Sequence, residues 1–441
     1  MQMLKWATID DDFMRIRKSH LCCYWTKLSI AGFFVIANFL YIQKAQSQVP
    51  TMFLLSPDSG FKLNNGLIQI GSNAMIGSNV LDNQFFKKSF FGGHLEDLHL
   101  NNLASSAKEQ NRAGMQFNGG IDFLNLRDTL FKHPHWGMRV GINTNYHASL
   151  SFTRDLFKTI YRGNKIFRND SAMLGPAAFE YQAWQKFGIG IFNKRNFSSV
   201  TLSLVEGQAY RSLIVNQATL YTSQVGDSLA MTYQGDYLRS DTTRSGFANG
   251  SGLGVSLDLE YNIPLENHKG MISLSLHDFG FVGWNKSSSL ITFDSLTTWQ
   301  GVQVQDVFQF SNDTLNMPQL RDSVHYNESK RSFFAPLPAS VHLRYSRFFN
   351  TRDFYEIGIS MWPNSSAVPL VYGGVSHFLG DRFLISEKIS FGGYARFGLG
   401  AEVQWMPCSA WLVRCGTNHI GGWTMNSAHG RDLYFTLAKT F

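Results

Sequence analysis

Two short clusters hold residue types that could do chemistry: His133-Pro134-His135, and Ser275 followed by His277-Asp278. A histidine pair can ligate a metal, but closed sites take about four ligands, and Pro134 between the two rings marks an exposed turn instead. His94 and His99 stand similarly alone. Ser, His and Asp are the members of a hydrolytic triad, and a triad needs them within hydrogen-bond reach. Consecutive residues of a strand point to opposite faces, so His277 and Asp278 should diverge and no catalytic set is expected. No Gly-rich loop leads into a Lys-Ser or Lys-Thr pair, so a phosphate-binding loop is excluded, and neither cofactor nor metal is implied.

A larger constellation is spread along the chain. Arg139, Asn143, Asp258, Glu260, His277, Arg344, Glu356, Arg396 and Glu402 fall on the polar phase of segments that alternate with period two. A charge costs about 2 to 4 kcal/mol near the middle of a bilayer, so a register that turns them into the lumen of a barrel is strongly favoured. These residues are the candidate lumen lining. They either brace the barrel as a mutually satisfied network or line a passage past an N-terminal plug.

The segments that must position them are strands. Val255, Leu257, Leu259 and Tyr261 alternate with Ser256, Asp258 and Glu260, and Val341, Leu343 and Tyr345 with His342, Arg344 and Ser346. Side chains that alternate in this way belong to a strand with one apolar face. The pattern recurs from Arg112 to the carboxyl end, where Leu433, Phe435, Leu437 and Phe441 oppose Asp432, Tyr434 and Thr436. Counted from a weak first strand at Gly66 to Ser72, about fourteen strands are expected, an even number as in bacterial barrels. Asn83 to Gln110 break the alternation: Leu95, Leu98 and Leu103 recur at helical spacing and predict a short amphipathic helix or plug.

Connections alternate in length. Short links at 193–196, 265–269, 350–353, 380–382 and 407–408 interleave with long ones at 155–172, 211–250, 283–337 and 417–430. Tight periplasmic turns and long outer loops produce this parity, and a soluble β-sandwich adhesin has no reason to. Two long loops carry β-like segments of their own, Ser228 to Leu238 and Gly301 to Phe310, expected to fold over the mouth. The fold class expected is all-β: a transmembrane antiparallel β-barrel of about fourteen strands, with a short N-terminal helical or plug segment and long extracellular loops.

Composition agrees. The 441 residues are 44% hydrophobic but only 16% charged, with a mean hydropathy of -0.14. Soluble proteins carry charge on about a quarter of their residues. Few charges without overall hydrophobicity is what a wall between lipid and water requires. Leu28 to Ile42 form an apolar run after a basic stretch and before Ala45-Gln46-Ser47, the pattern of a secretory signal cleaved before Gln48. Met14 directly precedes the basic cluster and would make 1–13 a misplaced start. The expected organisation is therefore a signal peptide at 1–47, an N-terminal segment with first strand and plug at 48–110, and the barrel at 111–441. Without the leader, 33 basic residues face 29 acidic ones, near +4 rather than +7. No basic run with interleaved aromatics survives, so nucleic acid is excluded as a partner. Cys408 and Cys415, on one strand, would lie roughly 20 Å apart, too far to form a disulfide.

Four stretches carry a resemblance: Phe90-Phe91-Gly92-Gly93, His277 to Asn285 (HDFGFVGWN), Leu337 to Leu343 (LPASVHL) and Phe391 to Gly400 (FGGYARFGLG), with Leu437 to Phe441 at the end. Through them the sequence resembles a family of Bacteroidota outer-membrane barrels known as a domain of unknown function and grouped with the FadL-like fourteen-stranded transporters. The resemblance implies an address and an architecture, and no activity. The function expected is that of a passive transporter or channel for small or hydrophobic compounds, without covalent chemistry. Outer-membrane lipid is the first partner. The alternative is a structural barrel whose long loops dock a secretion or surface-display protein.

Overall fold

The computed structural model describes residues 65–126, 130, 132–244, 246, 249–265, 270–300 and 326–441; the expected leader and Gly301 to Phe310 lie outside the described residues. β1 (Gly66–Ser78) leads through α1 (Asn83–Phe91) and α2 (Asp97–Ser106) to β2 (Gln110–Asn125) and β3 (Trp136–Thr153). After α3 (Arg154–Arg162) come β4 (Asp170–Met173), β5 (Ala177–Asn193), β6 (Ser199–Thr222), β7 (Ser228–Arg239), β8 (Gly252–Pro264) and β9 (Gly270–Trp284). β10 (Ser289–Gln300), β11 (Tyr326–Lys330), β12 (Phe333–Pro336), β13 (Ser340–Phe348), β14 (Asp353–Met361), β15 (Val368–Leu379) and β16 (Phe383–Gly393) follow. β17 (Phe397–Cys408), β18 (Trp411–Thr417), α4 (Gly421–Thr424) and β19 (Gly430–Thr440) complete the chain.

Fourteen of these strands form a closed antiparallel ring in the order β1, β2, β3, β5, β6, β8, β9, β13 to β19. Closure is made by the last strand: β19 pairs with β1 from Leu67↔Thr440 to Gly77↔Gly430. The Asn65 and Gly66 N–H groups both donate to the Phe441 carbonyl. A closed ring leaves no strand edge, which is what lets a sheet cross lipid with every backbone group paired. Among the described residues no helix is long and apolar enough to cross a membrane.

The wall is inside-out relative to a soluble domain. Ile189, Leu202, Val255, Ile357, Ile389 and Leu399 are exposed on the outer face, while Ser203, Ser256, Ser376, Ser386 and Gln404 are buried on the inner one. The alternation read from the sequence therefore has its apolar phase outward. Glu387 departs from it: it is exposed on the outer face of β16, opposite Val375 and Ala401. A carboxylate there costs less than the roughly 2 to 4 kcal/mol of an Arg or Lys at the midplane, but it is a cost. Cys408 and Cys415 are both free thiols.

The remaining strands lie above the rim on the long-loop side. β6 pairs with β8 over Ser199–Gly207 and continues as a ribbon with β7 from Arg211 to Thr222. β10 and β11 extend that ribbon. The helical reading of 83–110 is met by two short helices. Asp82 caps α1 by accepting from the Phe85 N–H, and Phe85, Leu100 and Leu103 pack with Phe152 and Phe157 in an apolar cluster at the rim. None of the residues of α1 or α2 lines the lumen cavity.

Candidate functional site

The strands carry the expected polar residues into two charged networks inside the ring. Lys186 on β5 reaches Asp258 at 2.8 Å and Asp278 at 2.8 Å, and Arg139 on β3 donates to Asp122 at 3.0 Å. On the other side Glu402 accepts two bonds from Arg414, at 2.8 and 3.0 Å, one from Lys388 at 3.3 Å and one from the Tyr434 hydroxyl at 2.6 Å. Lys388 also meets Glu356 at 3.2 Å, and Arg344 stands 3.9 Å from the same carboxylate. Paired and hydrogen-bonded in this way, buried charges offset their desolvation cost.

A cavity of about 340 Å³ lies between the networks. Arg139, Asn143, Asp258, Glu260, His277 and Arg344 border it, and Glu356 and Glu402 sit behind Arg344 and Arg414 in the wall, 2% and 5% exposed. Arg396 does not belong to this set. It lies in the bend 394–396 between β16 and β17, half-buried at the rim, because the alternation resumes only at Phe397.

The expectation that His277 and Asp278 diverge is overturned. Leu257 pairs with Phe279 and Leu259 with Leu276, so Asp258 alone faces both His277 and Asp278 in a β-bulge. Asp278 takes φ 55°, a left-handed conformation that Asp tolerates better than most residues. The extra residue breaks the period, and both side chains turn inward: each borders the cavity, His277 is 4.0 Å from Asp258, and the Asp278 N–H donates to Asp258 at 2.8 Å. No triad results. Both carboxylates are engaged by Lys186, and the nearby His342 ring is bonded through both nitrogens to Ser360 (2.8 Å) and Ser340 (3.0 Å). His133 and His135 lie at a turn, where His135 meets Arg195 at 2.7 Å. Among the described residues no three His, Cys, Asp or Glu side chains are grouped to hold a metal.

Two bends, rather than the helices, reach into the lumen on the long-loop side. After Gly392 and Gly393, at φ +114° and +63°, the chain turns inward and buries Tyr394 completely. Its ring lies on Gly114 of β2, where any Cβ would overlap it, and its hydroxyl meets His147 Nε2 of β3 at 3.0 Å. Arg112 donates to the carbonyls of Gly393 (2.7 Å) and Ala395 (3.2 Å). The bend 362–367 crosses the full width. Ser366, between β14 and β15, donates its N–H to Ser149 Oγ at 2.9 Å and its hydroxyl to the Leu150 carbonyl at 3.1 Å, on β3 halfway around the ring. Burial pushes the Tyr394 phenol up to about 12, so it stays neutral.

Lys186, Lys388, Arg414 and Tyr434 were not among the expected site residues. They share the polar phase of their segments, Lys186 with Gly188 and Gly190, Lys388 with Ser386 and Ser390, Arg414 with Gly416, and Tyr434 with Asp432 and Thr436, so that signal was present. The inward bends left only a weaker one: the gap at Tyr394-Ala395 between two alternating runs.

None of the curated proteins matches this sequence. Solved structures similar to it include the Pseudomonas putida toluene transporter TodX, 9% identical over 87% of this chain and 91% of that one, with a TM-score of 0.40. The KdgM porin is 6% identical over 60% of this chain and 96% of its own, TM-score 0.25. The translocator domain of the autotransporter NalP from Neisseria meningitidis is 8% identical over 96% and 98%, TM-score 0.27. Over residues 56–413 the sequence matches the family of unknown function DUF5723, and the chain belongs to that family.

Proposed function

We propose that this protein is a bacterial outer-membrane barrel that passes a small polar solute through a lumen held shut by its own bends. The observation that carries this reading is the cavity of about 340 Å³ inside the ring, with the contacts of Tyr394 on Gly114 and Ser366 on Ser149 across its long-loop side. Such contacts are individually small and can be broken without unfolding the wall. A hydrophobic solute, the other half of the expectation, is less well served. Among the described residues no Leu, Ile, Val or Met lines the cavity. The partners are membrane lipid around the apolar band and the solute inside, with no cofactor.

Swelling of proteoliposomes in glycerol and urea tests the proposal. Slow swelling with the natural chain and fast swelling with Tyr394→Ala are expected; no swelling above empty liposomes with either would sink it.

A second reading, a docking barrel for a secretion or surface protein, is favoured by the ribbon. β6, at 24 residues, carries β7, β10 and β11 beyond the ring. Replacing 224–239 and 289–300 by short turns should abolish capture of a surface partner on this reading, and unchanged capture removes it.

A further inference from the structure

Several of the charges that border the cavity are already matched. Lys186 is held between Asp258 and Asp278, and Arg139 by Asp122. On the wall of β3 and β5 the buried groups without a hydrogen-bond partner are uncharged. Asn145 Nδ2, His147 Nδ1 and Trp184 Nε1 are buried with no hydrogen-bond partner, in residues 3%, 2% and 3% exposed, and all three residues border the cavity. They are neighbours by register: Asn145 pairs with Trp184, and His147 with Gln182, whose amide nitrogen and oxygen are likewise unpartnered. A second bulge lies beside them. Ala183 pairs with Ala209 but Trp184 with Gly207, so Gln208 of β6 is the extra residue, opposite the strand that carries Trp184, and Trp184 packs with Val205, Tyr210 and Trp284.

An unpartnered buried donor costs about 1 to 3 kcal/mol, so three or four on adjacent strands form an uncommon concentration of unmet hydrogen bonding. Groups of this kind favour a ligand that supplies several neutral donors and acceptors at once. An ion gains less from them, because the local charges compensate one another, and a hydrocarbon gains nothing. Trp184 and Trp362 also border the cavity, and aromatic rings suit the C–H groups of a sugar. The volume lies at the lower end of the range for small-molecule pockets.

We infer that the wall formed by β3 and β5 is a binding site for an uncharged polyhydroxylated compound of mono- or disaccharide size. This rests on the reading of the barrel as a solute channel and gives that channel a substrate class. The test is calorimetric titration of the full-length protein in detergent with glucose and maltose, against choline chloride and sodium benzoate, joined to potassium chloride current through the Tyr394→Ala barrel in planar bilayers. Saturable sugar binding is expected, weakened roughly fivefold by Trp184→Phe, which removes one hydrogen-bond donor and keeps a ring. Asn145→Ser is the second variant should the first fail to show heat-modifiable migration. Sugar should also block the current in proportion to occupancy. Current that neither sugar blocks, with no heat of binding, overturns the sugar site while the channel reading stands. Tighter binding of choline or benzoate than of either sugar overturns the ligand class. Sugar binding by a barrel that conducts in no variant supports the site and removes the channel reading.

Discussion

Replacing Gly114 by Ala tests the closed mouth with a single methyl group. A Cβ at that position would overlap the Tyr394 ring, which is fully buried and bonded to His147. Overpacking of this kind costs about 1 to 3 kcal/mol. At about 1.4 kcal/mol per tenfold, the ratio of open to closed mouths should rise about 5- to 150-fold. Tyr394→Phe removes only the hydroxyl's bonding, to His147, Ser149 and Ser365, a net loss of about 1 kcal/mol, and should raise the ratio about fivefold. Tyr394→Ala removes the ring itself; with about 150 Å² of aromatic surface at about 25 cal/mol per Å², that is about 4 kcal/mol, close to a thousandfold. Arg112 keeps its bonds to Gly393 and Ala395 in all three variants, so the series isolates the ring. Open probability of the full-length protein in planar bilayers is the readout, with folding checked by heat-modifiable migration. The expected order is wild type, Tyr394→Phe, Gly114→Ala, Tyr394→Ala. If the folded Tyr394→Ala barrel opens no more often than wild type, or Tyr394→Phe opens as often as Tyr394→Ala, the ring does not hold the mouth shut.

Removing the cation from the bulge, by Lys186→Met, leaves Asp258 and Asp278 buried without their partner and should cost about 3 to 5 kcal/mol, read as a lowered urea midpoint; an unchanged midpoint would mean that water already solvates the pair. The outer face can be tested in both directions. Leu202→Arg, at a position 63% exposed between Ile189 and Leu257, should destabilise the barrel in lipid by about 2 to 4 kcal/mol, and Glu387→Leu should stabilise it by roughly 1 kcal/mol. Loss of stability in Glu387→Leu would instead place a partner on β16. The pH response follows from burial of Tyr394, whose pKa is raised from 10.0 to about 12. A group held neutral in this way contributes its full share below pH 10 and loses it as pH rises toward 12. Open probability should therefore be flat from about pH 7 to 9 and climb above 10; a climb below 9 would assign the closure to another group.

Much of this architecture was legible because one physical constraint acts on every spanning strand. Lipid outside and water inside force period two, and Arg139, Asp258, Arg344 and Glu402 could be assigned a face without knowing a single neighbour. The same logic would have reached Lys186 and Lys388. What it cannot reach is a residue that breaks the period. His277-Asp278 reads as ordinary alternation until Asp258 is seen to face both, and the register that produces the bulge is a property of two strands, not of either sequence. Arg396 fails for the opposite reason: it continues the alternation of the strand it precedes, but the backbone is already turning.

The mouth was illegible for a stronger reason. Tyr394 closes against His147 and Gly114, and Ser366 against Ser149, pairs more than 200 residues apart in the chain that meet only once the ring has formed. No local pattern encodes such a contact. Yet three of the four stretches that carried the family resemblance converge here: HDFGFVGWN holds the bulge, LPASVHL supplies the serine bonded to His342, and FGGYARFGLG supplies the two left-handed glycines and the buried tyrosine. A wall that merely spans lipid needs alternation, which many sequences satisfy. Left-handed backbone at Asp278, Gly392 and Gly393 is a requirement that few residues meet. Asp278, Gly392 and Gly393 thus place three of the chain's left-handed residues at the cavity and its long-loop side, while the others stand at turns and helix ends.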